Sequence, residues 1–60
     1  MPNIKIGDVF INRTKELVVV VAQHKYLKDH YHFYYIKYNV KCIVSINSDF
    51  NYWYKRLTND

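Results

Sequence analysis

Six consecutive apolar residues, Leu17 to Ala22, four of them valine, commit the centre of this chain to a strand. Valine is stiff about χ1, which disfavours it in a helix and suits it to a pleated surface. With no polar alternation through the run, burial on both faces in the middle of a sheet is expected. The run is also far too short to cross a bilayer.

The rest of the chain leans the same way. Seven Val, six Ile and seven Tyr stand against one Ala, one Glu and one Gln, which excludes a helical bundle. Sixty residues make one small domain, residues 1–60, and with 50% apolar and 23% charged residues it is globular rather than disordered. Cys42 is the single cysteine and has no partner within the chain, which fits a reducing compartment. The start, Met1-Pro2-Asn3-Ile4-Lys5, lacks the basic-then-apolar layout of a signal peptide. The expectation is a cytoplasmic protein of a bacterial host cell, with no membrane partner; the sequon Asn12-Arg13-Thr14 is then a chance match.

Punctuation divides the chain into four strands near 4–12, 17–24, 31–39 and 42–46. Gly7-Asp8 reads as a bulge or bend, Asn12 to Glu16 and Lys25 to Asp29 as polar loops, and Asn39-Val40-Lys41 as a turn. Near 49–57 the period changes: Phe50, Trp53, Tyr54 and Leu57 fall at i, i+3, i+4 and i+7, behind Ser48 and Asp49 as caps, with Lys55 and Arg56 in a last turn. That predicts a closing helix. The fold class expected is mainly β: a four-stranded antiparallel SH3-like, partly open barrel with a short C-terminal helix. Val19, Val21, Ile36, Val44, Phe50 and Trp53 are its expected core.

Ile6-Gly7-Asp8-Val9-Phe10 at the start, and Cys42 to Ile46 leading into Phe50-Asn51-Tyr52-Trp53-Tyr54 at the end, carry a resemblance. Over most of its length the chain resembles small uncharacterised phage and prophage proteins that open with a Gly-Asp strand and close with a Phe-x-x-x-aromatic segment. The resemblance implies the SH3-like barrel and a phage or mobile-element source. The codon bias behind a Lys-, Asn-, Ile- and Tyr-rich chain, that of A/T-rich DNA, agrees. The opening is also similar to that of KOW and Tudor-like barrels, whose later glycine this chain lacks.

In the third strand Ile36 and Val40 place Tyr34, Ile36, Tyr38 and Val40 on the core face, leaving Tyr31, Phe33, Tyr35, Lys37 and Asn39 outward. Tyr31, Phe33 and Tyr35, flanked by Lys25, Lys28, Lys37 and Lys41, then form the expected partner-binding surface, unless the terminal helix or a second subunit covers it. Such a surface stacks unpaired bases or anchors a protein. His24, His30 and His32 with Cys42 offer a zinc set only in outline, without the closer ligand pairs of structural zinc motifs; no metal and no cofactor is assigned. Cys42 alternates with Val44 and Ile46 and reads as buried.

No spacing identifies a catalytic set, so the chain reads as a non-enzymatic interaction module that binds and modulates a host protein. The alternative is a small basic nucleic-acid-binding barrel, which the net charge of +4 favours. Only two of nine cations are Arg, the residue suited to bidentate phosphate contact, which tips the balance toward a protein partner. A homodimer is the further outcome that an exposed aromatic strand near a sheet edge allows.

Overall fold

The computed structural model describes residues 4–58; Met1 to Asn3 of the N-terminal segment, with Asn59 and Asp60, lie outside them. Five strands, β1 (Val9–Asn12), β2 (Leu17–Gln23), β3 (His30–Tyr35), β4 (Val40–Ser45) and β5 (Tyr54–Arg56), form one antiparallel sheet in the order β4-β3-β2-β1-β5. A single helical turn, α1 (Phe50–Trp53), joins β4 to β5. The sheet is mainly meander and is not closed: β4 and β5 are its edges.

The strand expected from residue 4 begins at Val9, because Gly7 holds φ at +97° and turns the chain. Around that turn Gly7 N–H donates to the Val20 carbonyl at 2.8 Å, and Val20 N–H to the Asp8 carbonyl at 2.9 Å. The nearly buried Asp8 carboxylate accepts from Lys5 N–H and from the Arg56 guanidinium, at 2.9 and 2.8 Å. This clasp ties the first turn to β5.

The third strand stops at Tyr35, four residues short of expectation. Ile36 to Asn39 make the turn, with Asn39 at φ 55° donating its N–H to the Tyr35 carbonyl at 2.9 Å. Four-residue hairpin loops ending in a left-handed residue are a common solution, and Asn tolerates that conformation. The earlier turn inverts the face assignment. Ile36 is in the turn and 48% exposed, and Val40 begins β4, also exposed, so neither reports the core face of β3. Phe33 is fully buried, and Tyr31 and Tyr35 pack against the core.

On β2 the core phase is Val18 and Val20, paired across the sheet with Tyr35 and Phe33. Val19 is half-buried and Val21 exposed, so the run is not covered on both faces. A register shift between Val20 and Ala22 marks a bulge that bends the strand.

The tail departs furthest from expectation. Helix ends after one turn at Tyr54 (φ −133°, ψ 136°), and Tyr54–Arg56 pair with Asn12–Phe10 as β5. That pairing satisfies the outer edge of β1, and Leu57 N–H extends it to the Val9 carbonyl at 2.8 Å. Asp49 occupies the N-cap position without a side-chain cap bond; instead Asn47 Oδ1 accepts from Asp49 N–H at 2.9 Å. Lys55 and Arg56 lie in the strand rather than in a last helical turn.

The core is Ile4, Phe10, Val18, Val20, Phe33, Ile46 and Phe50. Phe10, Phe33 and Phe50 meet with ring centroids 5.3 to 5.9 Å apart, and Tyr54 closes on Phe33 and Phe50 at 5.4 and 5.0 Å. Of the expected core, Phe50 is buried and Val44 packs against it, whereas Val21, Ile36 and Trp53 are exposed. Cys42 is exposed as well.

Candidate functional site

The expected aromatic platform does not form. Phe33 is at the centre of the core, and Tyr31 and Tyr35 face the same way. Its lysines are exposed but separate: Lys25 and Lys28 lie in the loop before β3, Lys37 in the turn after it, and Lys41 opposite Tyr34 on the outer face. Of its three aromatics Tyr35 lines a cleft, while Lys25 and Lys28 line a separate, smaller depression at the other end of the sheet.

At the edge of the first, a cleft of about 410 Å³, the Tyr35 and Tyr54 hydroxyls meet at 2.5 Å. Val44 and Trp53 add apolar wall, and Arg13, Thr14, Asn47 and Asp49 supply polar lining. Burial first, and then the hydrogen bond with Tyr35, push the Tyr54 phenol well above the usual tyrosine range. Tyr54 therefore keeps its hydroxyl hydrogen near neutral pH. A second depression of about 370 Å³ adjoins the first, sharing Asn12, Arg13, Trp53 and Tyr54 with it, and adds Lys15, Tyr52 and Lys55.

Trp53 stands on the boundary between the two and is 52% exposed. Three consecutive aromatics, Tyr52, Trp53 and Tyr54, follow Phe50, and the switch from helix to strand after Trp53 turns Tyr54 inward and leaves the other two outside. Tyr52 meets Trp53 edge-on, centroids 5.1 Å apart and planes at 87°, while the Arg13 guanidinium covers the Tyr52 ring at 4.2 Å.

The β1–β2 turn that presents Arg13 is pinned from within. Asn12 Oδ1 accepts from Thr14 N–H at 3.1 Å, Glu16 N–H at 2.8 Å and the Thr14 hydroxyl at 2.9 Å, while Asn12 Nδ2 donates to Glu16 Oε1 at 2.9 Å. Lys15 sits at φ 68° to complete the turn. The Tyr38 hydroxyl donates to the other Glu16 oxygen and so links the β1–β2 and β3–β4 turns. Hydrogen bonds from Asn12 and then Tyr38 hold the Glu16 carboxyl below its ordinary range; the Tyr38 phenol is raised chiefly by the same bond.

At the far end of β2 and β3 the three histidines gather. His24 stacks parallel on His32 at 5.7 Å and lies 6.2 Å from His30. Its Nδ1 accepts from Tyr26 and Leu27 N–H at 3.1 and 3.0 Å, while His30 Nδ1 meets the Lys28 carbonyl at 2.7 Å. Cys42 pairs with Phe33 and so lies on the opposite face from His32, out of reach of the imidazoles. Among the described residues no group of three or more His, Cys, Asp or Glu is placed to hold a metal ion.

Sequence reasoning missed Arg13, Lys15, Tyr52, Trp53 and Lys55. The available signal was the run Tyr52-Trp53-Tyr54 itself, since neither a helix nor a strand can turn three successive side chains to one core. No family model, curated protein or solved structure matches this chain. Among the described residues no helix is long and apolar enough to cross a membrane.

Proposed function

We propose that this protein is a non-enzymatic interaction module, of the kind phages and mobile elements use to bind and modulate a host protein, and that the cleft beside Trp53 holds the partner. The observation that carries this reading is the half-exposed Trp53 between two depressions, with Tyr52 and Arg13 against it. Trp, Tyr and Arg are the residues most enriched at protein-interface hot spots, where a concave, partly apolar setting lets them exclude water.

An SH3-like barrel is the fold we assign to this module. Support comes from the return of β5 to β1, the bulge that bends β2, and the position of α1 between the two edge strands, where a barrel would close.

Nucleic acid is the second reading, favoured by Arg13, Lys15 and Lys55 around the second depression. Geometry favours it less. Successive bases stack on successive ring faces, whereas Tyr52 already carries Arg13 on one face and stands perpendicular to Trp53.

A pull-down from host lysate with wild type and Trp53→Ala, each with and without nuclease, tests the proposal. A specific protein retained by wild type after nuclease treatment and lost by the folded variant is the expected result. Retention that disappears with nuclease would move the assignment to nucleic acid.

A further inference from the structure

Charge around the cleft is one-sided. Arg13, Lys15 and Lys55 line the second depression, and neither lysine has an ion-pair partner among the described residues. Nearby acids are engaged elsewhere: Asp8 holds Arg56, and the two Glu16 oxygens accept hydrogen bonds from Asn12 and Tyr38. Asp49 stands on the first depression, not the second. One wall of the cleft is thus aromatic and mixed in charge, and the adjoining one is cationic.

One of those cations is also pre-arranged. Asn12 fixes the turn that carries Arg13 and Lys15, and the cation–π contact with Tyr52 orients the Arg13 guanidinium while leaving its N–H edge for a carboxylate. Ordering Arg13 on binding therefore costs little. The depressions share four residues and are contiguous, so one extended strand of partner reaches both.

Resting on the assignment of the cleft as the partner's site, we propose that the partner segment is acidic. It is an extended stretch of protein that sets one aromatic or branched aliphatic side chain against Trp53, Val44 and Tyr54 and lays neighbouring carboxylates over Arg13, Lys15 and Lys55.

Selection of random dodecapeptides displayed on phage against the full chain tests this, followed by titration of the recovered peptides. Trp53 is the only tryptophan, so its fluorescence reports occupancy by peptides that lack Trp. Expected are sequences rich in Asp and Glu around one apolar anchor. Their affinity should fall about threefold to tenfold for Lys15→Glu and again for Lys55→Glu, more steeply at low salt, as lost charge pairs at an interface rim do. Both substitutions are at exposed positions, and a thermal melt confirms that each variant folds.

Neutral or basic peptides that still require Trp53 would overturn the acidic assignment and leave the cleft in place. Peptides that bind Trp53→Ala as well as wild type, read by the anisotropy of a labelled peptide because that variant has no tryptophan, would overturn both. So would recovery of no peptide, whether or not oligo(dT) or oligo(U) binds; binding of either oligonucleotide, with affinity falling as salt rises, would identify single-stranded nucleic acid as the ligand.

Discussion

Two loops on either side of β2 are built on the same device and differ in one atom. In the β1–β2 turn the Asn12 amide oxygen accepts two backbone N–H groups, from Thr14 and Glu16; in the β2–β3 loop His24 Nδ1 accepts two, from Tyr26 and Leu27. An amide oxygen has two lone pairs and keeps them at any ordinary pH. A neutral imidazole nitrogen has one, shared between two donors. The first loop is therefore fixed, and it is the one that carries Arg13 and Lys15 to the cleft. The second is held through one shared acceptor, and it carries Tyr26, Leu27 and two lysines into solvent.

Both loops hang from one core, and removing its centre should release them together. Phe33→Ala should cost about 3 to 5 kcal/mol, enough to unfold a domain of this size. Trp53→Ala, at a half-exposed site, should cost about 1 kcal/mol or less and leave both loops in place. Urea denaturation distinguishes the two; equal losses would return Trp53 to the core.

Within the fixed loop, Asn12→Ala removes four hydrogen bonds and should cost about 1 to 3 kcal/mol, since each is partly exposed and worth of order 1. His24→Ala removes two bonds around one nitrogen and should cost about half as much, again by urea midpoint. A larger loss at His24 than at Asn12 would reverse the ranking of the loops.

How far the sequence could be read follows from where periodicity lives. Four strands were legible because Leu17 to Gln23, His30 to Tyr35 and their neighbours are β-branched or aromatic and bounded by turn residues. Their faces were not. An unbroken valine run carries no phase of its own; it is set by pairing Val18 and Val20 with Tyr35 and Phe33. In β3 the phase is written in the sequence, with His30, His32 and Tyr34 alternating against Tyr31, Phe33 and Tyr35, but Ile36 and Val40 pointed the other way because the turn comes earlier. β5 has three residues, too few for any period, and exists because β1 needed a partner. The candidate site followed from that hidden strand, since a helix through Leu57 would bury Trp53.

The smallest effect concerns the link between the fixed loop and its neighbour. Tyr38 donates to Glu16, and with Asn12 it holds the Glu16 carboxyl below its ordinary range. A depressed carboxyl favours the folded state above its unfolded pKa, and that contribution fades as pH falls through the lower folded value. The stabilisation is thus complete near neutral pH and disappears in acid below about 4.5, the ordinary value for Glu. Tyr38→Phe keeps the ring and removes the donor. Glu16 should then titrate closer to its ordinary value in carbonyl-detected NMR, and the stability gap between variant and wild type should close as the pH is lowered through that range. Because Glu16 is solvated, the gap at pH 7 should be only a fraction of that for Asn12→Ala. A gap that widens in acid would mean that Tyr38 stabilises the turn through its ring and not through the carboxylate.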